Sequence, residues 1–154
     1  MIPAVNKQSV THDTFVIERH YDASPERVFG AFSQKESKSK WFHGPEAWGK
    51  PEWEMDFRVG GRERNQGGPK GGPAHTFEAH YLDIVENRRV IYSYDMYIGE
   101  RKISVSLATV EFAPEGNGTL LRVTEHGAFI DDYDDNGSRE RGTQGLLEAL
   151  AQSL

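Results

Sequence analysis

Hydrophobic and polar positions alternate with a period of two residues over much of this chain. In one such segment His75, Phe77, Ala79 and Tyr81 share one face. A period of two is typical of β-strands with one buried face. It predicts strands over residues 12–21, 52–59, 62–66, 75–86, 89–98, 101–112 and 119–129.

Three segments carry helical signals instead. Ser24, Pro25 and Glu26 form a helix start, with a capping hydroxyl, a proline at the first helical position and an acidic residue in the first turn. A second short helix is predicted over 34–41. The third is predicted over 138–154, with Ser138 as its cap. Its apolar stripe consists of Thr143, Leu146, Leu147, Leu150 and Leu154.

Two glycines lie inside the third predicted helix. Gly142 and Gly145 each cost a helix about 1 kcal/mol relative to alanine. This cost suggests that a sheet or a ligand comes close to that face of the helix. We therefore expect that replacing Gly145 with leucine abolishes ligand binding without unfolding the protein.

The order of these elements predicts the fold class. One strand, two short helices, about six strands joined by short turns and one long helix indicate an antiparallel sheet. A twisted sheet of that size curls, and its concave face requires a cover. The C-terminal helix is the element with a long enough apolar stripe. The prediction is an α+β helix-grip fold, in which a curved antiparallel sheet of about six to seven strands wraps on that helix.

Composition and charge narrow the class of protein. The 154 residues fit a single domain, predicted over 12–154, with 1–11 as an N-terminal tail or lead-in. A net charge of −6 argues against nucleic acid as the main partner. The absence of cysteine suits a reducing cytoplasm, and the sequence contains neither a signal peptide nor an apolar run long enough to span a bilayer. We expect a soluble cytoplasmic protein that does not insert into membranes.

Several short motifs, taken in order, carry a family resemblance. They occupy residues 23–29, 40–45, 56–61, 81–85, 111–119, 124–129 and 139–143. With this spacing the chain resembles the branch of activator-of-Hsp90-ATPase homologues in the START-like superfamily, which is also called Bet v 1-like or polyketide-cyclase-like. The resemblance implies a helix-grip fold and a small hydrophobic ligand between sheet and helix. Some members of the superfamily catalyse cyclisation, hydrolysis or dehydration. From the resemblance we expect a single domain here, without the additional N-terminal domain of the eukaryotic co-chaperone.

The inward strand positions predict the lining of a cavity. Aromatic rings and methionines on such positions form either a solid core or an adaptable, partly polar pocket. We expect the lining to consist of Trp53, Met55, Phe57, Phe77, Tyr81, Tyr92, Tyr94, Met96, Leu146 and Leu150.

Three polar residues are candidates to enter that cavity: His75, Glu125 and Arg139. His75 shares a face with Phe77, and Glu125 shares a face with Val123. A buried carboxyl has a raised pKa and can act as a general acid or base, so Glu125 and His75 are candidate catalytic residues as well as ligand contacts. The alternative is structural: Glu125 forms a salt bridge with Arg139 or another basic residue, and His75 packs by hydrogen bonding.

No motif predicts a metal or another cofactor. His75 and His80 lie on opposite faces of one strand, because an odd separation reverses the side-chain direction. Residues 132–137 match the first half of a calcium loop, but position twelve is Thr143 where a glutamate is required. The glycine-rich segment 67–72 fits no phosphate-binding loop and is interpreted as a flexible hairpin tip.

Three hypotheses about function remain open at this point. The leading one is a domain that binds a small hydrophobic or aromatic molecule between sheet and helix. The second is a cyclase or hydrolase that uses Glu125 and His75. The third is a chaperone-linked interaction module, which predicts that side chains fill the space. The strand over 90–98 could also form the seam of a homodimer.

Overall fold

A computed structural model describes residues 8–154 of the chain. Residues 1–7 of the predicted N-terminal tail lie outside the described residues. The strands are β1 (Val10–Tyr21), β2 (Glu52–Met55), β3 (Arg62–Gly67), β4 (His75–Val85), β5 (Arg89–Ile98), β6 (Arg101–Glu115) and β7 (Gly118–Ile130). The helices are α1 (Pro25–Ser33), α2 (Lys35–Ser39) and α3 (Asn136–Ser153), and a short 3-10 helix covers Glu46–Trp48.

The seven strands form one antiparallel sheet with the order β1-β7-β6-β5-β4-β3-β2. Consecutive strands from β2 to β7 are neighbours, as their short connections predict. β1 pairs with β7 over its whole length, from Val10 opposite Ile130 to Tyr21 opposite Thr119. The predicted α+β helix-grip fold is confirmed, with two short helices after β1 and a long C-terminal helix.

Three predicted strand boundaries differ from the structure by two residues or more, and one of them is the end of β6, which lies at Glu115, three residues after its predicted position. β1 begins at Val10, two residues before the predicted start. β2 ends at Met55 although the alternation continues to residue 59. The chain turns back there, because the Asp56 amide donates to the carbonyl of Arg62 over 2.8 Å and Gly60 adopts a positive φ of 85°. Alternation therefore overstated the length of β2, since a glycine turn competes with the strand.

The cap of α3 is also different from the prediction. Asp135, not Ser138, precedes the helix in an extended conformation, and its carboxylate accepts from the Ser138 amide over 2.8 Å. Both residue types cap helices, and they are three positions apart, so the pattern alone selected the wrong one. None of the helices in residues 8–154 combines the length and the apolar character needed to cross a membrane.

The two glycines of α3 do not permit a close approach of the sheet. Gly142 and Gly145 are exposed, and a Cβ atom added at either position would have nothing within 4 Å. The expectation that the sheet comes close to them is therefore wrong, whereas the alternative of a ligand stays a prediction. The helix is held instead by its buried face and by its flank, where Arg19 of β1 contacts Glu148 at 2.8 Å and the Tyr21 hydroxyl donates to the carbonyl of Leu147.

Side chains fill only one part of the space inside the curved sheet. Phe29 and Phe32 of α1 pack edge-on against Phe112 of β6, each with 5.4 Å between ring centroids. Leu147 and Leu150 from the C-terminal half of α3 join the same cluster and are almost completely buried. Burial of each such side chain contributes about 1.5–3 kcal/mol. The N-terminal half of α3 covers a different part of the sheet, where the candidate site lies.

Candidate functional site

A cavity of about 390 Å³ lies between the N-terminal half of α3 and the sheet. Its walls come from β4 and β5, from the segment around the 3-10 helix, and from α3 itself. The indole of Trp48 stacks on the imidazole of His75 with 4.7 Å between ring centroids at one side of the cavity. A volume of this size is within the range of small-molecule sites in proteins.

The structure divides the predicted lining residues into two groups. Seven of them line the cavity: His75, Phe77, Tyr92, Tyr94, Met96, Glu125 and Leu146. The other five, for which the predicted lining is wrong, are Trp53, Met55, Phe57, Tyr81 and Leu150. The residue types are similar in both groups, so the position of a residue in the fold determines whether it lines the cavity.

The five excluded side chains lie in the filled core or at the edge of the sheet. The ring of Phe57 contacts Phe29 and Tyr81, with centroid distances of 5.7 and 4.9 Å. Leu150 is completely buried in the same cluster. Trp53 and Met55 belong to β2, the last strand of the sheet, and Phe42 packs on Trp53 while it lines the cavity itself.

Glu125 is buried in the cavity wall, with 5% of its surface exposed. The hydroxyl of Tyr94 donates to its Oε1 atom over 2.6 Å and accepts from the guanidinium of Arg139 over 3.0 Å. Arg139 also donates to Ser104 over 2.7 Å and to Asp134 over 2.9 Å. The alternative of a direct salt bridge between Glu125 and Arg139 is therefore wrong: a phenol stands between them, and Asp134 is the ion-pair partner of Arg139.

The environment of this network raises three pKa values. Burial raises the pKa of Glu125, although the Tyr94 hydrogen bond and the charge of Arg139 act in the opposite direction. Burial, together with the nearby Glu125 carboxyl, also raises the pKa of Tyr92 and Tyr94. The phenols stay neutral, and the carboxyl keeps its proton to a higher pH than an exposed glutamate does. Such a group can exchange a proton with a bound molecule.

A second polar cluster, which the alternation did not predict, surrounds Glu63. This carboxylate is 1% exposed and accepts from Lys38 over 2.7 Å, from the Trp53 indole over 2.8 Å and from the Tyr81 hydroxyl. Lys38 lines the cavity, with its ammonium 4.5 Å from the ring centre of Phe42. Lys38 stands among polar residues of a short helix and therefore gave no sequence signal.

Asn65 also lines the cavity, two residues beyond Glu63 on the same face of β3. Its cross-strand neighbour is Phe77, which belongs to the cavity wall. The amide Nδ2 atom of Asn65 is buried and has no hydrogen-bond partner among residues 8–154. A buried donor of this kind costs about 1–3 kcal/mol, so it is a candidate contact for an acceptor atom of a ligand.

His75 and Glu125 occupy distant parts of the sheet. Four residues on neighbouring strands are directly opposite one another in sequence across the sheet: Tyr81 of β4, Tyr92 of β5, Ala108 of β6 and Glu125 of β7. His75 lies six residues before Tyr81, and three strand spacings amount to roughly 14 Å. No hydrogen bond joins the two described side chains. The hypothesis of a catalytic pair is not supported by this separation.

The acidic segment before α3 has a local structural role. Asp131 and Asp132 adopt positive φ angles of 54° and 60°, and Asp131 accepts from the Ser9 amide over 2.8 Å. Asp134 binds Arg139, and Asp135 caps the helix. Among residues 8–154, no three histidine or acidic side chains are grouped as a metal site requires.

Comparisons with known proteins identify relatives over most of the chain. Residues 22–154 match the family described as Activator of Hsp90 ATPase homolog 1-like protein. The structure is similar to an uncharacterized protein from Rhizobium leguminosarum, with a TM-score of 0.91 and 44% identity over 96% of this chain and 97% of that one. A Rhizobium loti protein gives a TM-score of 0.88 and 48% identity, over 95% and 99% of the two chains.

A more distant relative shares the fold alone. An AHSA1-like protein from Aeromonas hydrophila has 21% identity and a TM-score of 0.70, with 92% of this chain and 91% of that chain covered. No curated protein matches the chain. The relatives therefore indicate the family and the fold, whereas a function has to be inferred from the cavity.

Proposed function

Because the chain belongs to the Activator of Hsp90 ATPase homolog 1-like family within the START-like fold class, we propose that it binds a small hydrophobic or aromatic molecule between the sheet and α3. The observation that carries this proposal is the cavity of about 390 Å³ that the side chains leave open. Phe77, Tyr92, Tyr94 and Met96 give it apolar walls, and Glu125 and Asn65 add a small number of polar groups. This combination is typical of small-molecule sites.

The cavity is evidence against the hypothesis that the protein is a chaperone-linked interaction module. That hypothesis requires the space between sheet and helix to be filled by side chains. The filled cluster ends at Val110, Val123 and Leu147, which also line the cavity. The remaining volume has no structural use in a module that acts only through its surface.

Acid–base catalysis by Glu125 is the second candidate function. One observation favours it: a buried carboxyl in the cavity wall whose pKa burial raises, in a hydrogen bond with Tyr94. His75 is too far from Glu125 for the two side chains to act on the same atom of a substrate. The enzyme hypothesis predicts that Glu125→Gln abolishes turnover and keeps ligand binding, whereas a binding protein has no turnover to lose.

The two glycines of α3 provide a matched test of the binding proposal. Gly142 lines the cavity, whereas Gly145, one turn further along the helix, does not. Leucine at either position improves helix propensity by a similar amount, and the added Cβ atom has nothing within 4 Å at either position. We expect Gly142→Leu to reduce the affinity for the neutral fluorescent probe N-phenyl-1-naphthylamine at least tenfold, because its side chain occupies the cavity mouth.

Gly145→Leu is the control and, in contrast to the expectation from the sequence, should change that affinity less than twofold, because Gly145 does not line the cavity. Native mass spectrometry of the purified protein supplies an independent readout, because a retained adduct has a discrete added mass. Absence of probe binding by the unmodified protein, together with a mass free of adducts, would overturn the proposal. Equal probe affinity in the two leucine variants would place the probe outside this cavity.

A further inference from the structure

The charges that line the cavity are not evenly matched. The Lys38 ammonium lies 2.7 Å from Glu63, and the Arg139 guanidinium lies 2.9 Å from Asp134. Both pairs have little contact with solvent, since the side chains of Lys38 and Arg139 are only 7% and 11% exposed. Each cation thus has its own carboxylate within contact distance, and neither is available to a second anion without the loss of a buried pair.

Among the described residues that line the cavity, Glu125 is the carboxyl group that has no cation in direct contact. Tyr92 and Tyr94 face it from β5, and Arg139 faces it from α3 with the Tyr94 hydroxyl between them. Its Oε1 atom accepts from Tyr94, and no hydrogen bond from residues 8–154 reaches Oε2. The carboxyl therefore presents one free acceptor oxygen beside the phenol rings of Tyr92 and Tyr94.

From this arrangement we propose that the cavity selects neutral or cationic aromatic molecules that carry a hydrogen-bond donor for Glu125, and that it discriminates against aromatic carboxylates. The inference rests on the proposed function and specifies its ligand class. An ammonium or hydroxyl group can donate to the free oxygen of Glu125. A ligand carboxylate would face Glu125 with like charge, or would have to displace Glu63 or Asp134 from its cation. The Asn65 amide can donate one hydrogen bond to such a ligand, but it offers no opposite charge.

Three probes with the same ring system test this selectivity. They are 1-naphthylmethylammonium, 1-naphthylmethanol and 1-naphthoate, measured by isothermal titration calorimetry at pH 8 with the full chain. We expect the unmodified protein to bind the ammonium and the alcohol at least tenfold more tightly than the carboxylate. Glu125→Gln should reduce the preference for the ammonium over the carboxylate by at least a factor of ten.

Glu100→Gln is the matched control, because it removes the same charge from an exposed position between β5 and β6. It should leave the order and the ratios of the three affinities unchanged. Tighter or equal binding of 1-naphthoate by the unmodified protein would overturn the inference while cavity binding stands. If none of the three probes binds, and N-phenyl-1-naphthylamine also fails, the proposed function itself is wrong. The order of the affinities in the unmodified protein decides the matter even if Glu125→Gln does not fold.

Discussion

Tyr94 donates its phenolic hydrogen to Glu125 over 2.6 Å, from the next-but-one strand of the sheet. The same oxygen accepts from Arg139, so the one proton of the phenol is committed to the carboxylate. This geometry suits an ionised Glu125, whereas burial favours its protonated form. Because the pKa of Glu125 is raised, burial is the stronger of the two effects.

The raised pKa of Glu125 predicts how stability depends on pH. The folded protein binds this proton more tightly than the unfolded chain, so the group's favourable contribution is complete below the unfolded pKa of about 4.5. It is lost as pH rises through the folded pKa. Glu125→Gln keeps an acceptor for Tyr94 and does not titrate. We expect the melting temperature of the variant to increase relative to the unmodified protein as pH rises from 4.5 to neutrality.

Thermal unfolding followed by circular dichroism at several pH values checks this prediction. Glu100→Gln again serves as the control for the change in net charge. A constant difference between Glu125→Gln and the unmodified protein over this pH range would mean that Glu125 titrates as an ordinary exposed glutamate.

Replacement of Arg139 by leucine should destabilise the fold by about 3 kcal/mol. The change leaves the Asp134 carboxylate and the Ser104 hydroxyl without their donor and removes a partly buried ion pair. Arg141→Leu, on the exposed side of the same helix, should cost less than about 0.5 kcal/mol. Urea unfolding measures both, and equal costs for the two arginines would contradict the role assigned to Arg139.

Lys38→Met should cost about 3–5 kcal/mol, because Glu63 would keep a buried charge with only Trp53 and Tyr81 as donors. Addition of Glu63→Gln to the same chain removes that charge and should restore at least half of the loss. Lys40→Met, at an exposed position, controls for the loss of a lysine. Urea unfolding of the unmodified protein, Lys38→Met, Glu63→Gln and the double variant completes a double-mutant cycle, and purely additive costs would show that the pair is not coupled.

Asn65→Leu should stabilise the protein in the absence of ligand. The substitution removes a buried amide donor that has no partner among the described residues. Its removal should raise the free energy of unfolding by about 1 kcal/mol, which corresponds to roughly 3 °C in melting temperature. The neighbouring Gln66→Leu, on the other face of β3, should give no such gain. A lower melting temperature for Asn65→Leu would indicate that the amide is already bonded in the free protein.

The fold could be predicted from the sequence because its signals are local. Alternation identified the buried face of most strands, and the turns between Glu52 and Ile130 are short enough to pair consecutive strands. In β6 it was misleading, because the alternating Val105 and Leu107 are exposed and the small residues between them are buried. The errors lie where two local signals compete. Gly60 ends β2 against the alternation, and Asp135 takes the cap that Ser138 also fits.

The candidate site was predictable only in part, for a geometric reason. Alternation states which side chains point inward, but it does not state which end of a strand α1 covers. Tyr81 and Tyr92 are cross-strand partners on the same face of the sheet. Tyr81 nevertheless lies in the filled core and donates to Glu63, whereas Tyr92 lines the cavity. Lys38 and Glu63 were missed because their pairing depends on the tertiary contact of α2 with β3.

The pairing of β1 with β7 has a consequence for how the protein is made. Partners in this ladder are 98 residues apart (Tyr21 with Thr119) to 120 residues apart (Val10 with Ile130). Contacts of such long range slow folding, because a large loop must close before they form. During synthesis β1 leaves the ribosome long before β7 has been made. Its unpaired backbone N–H and C=O groups can meanwhile pair with a wrong strand. Since α3 follows β7 in the sequence, the cavity can form only after both elements have been synthesised.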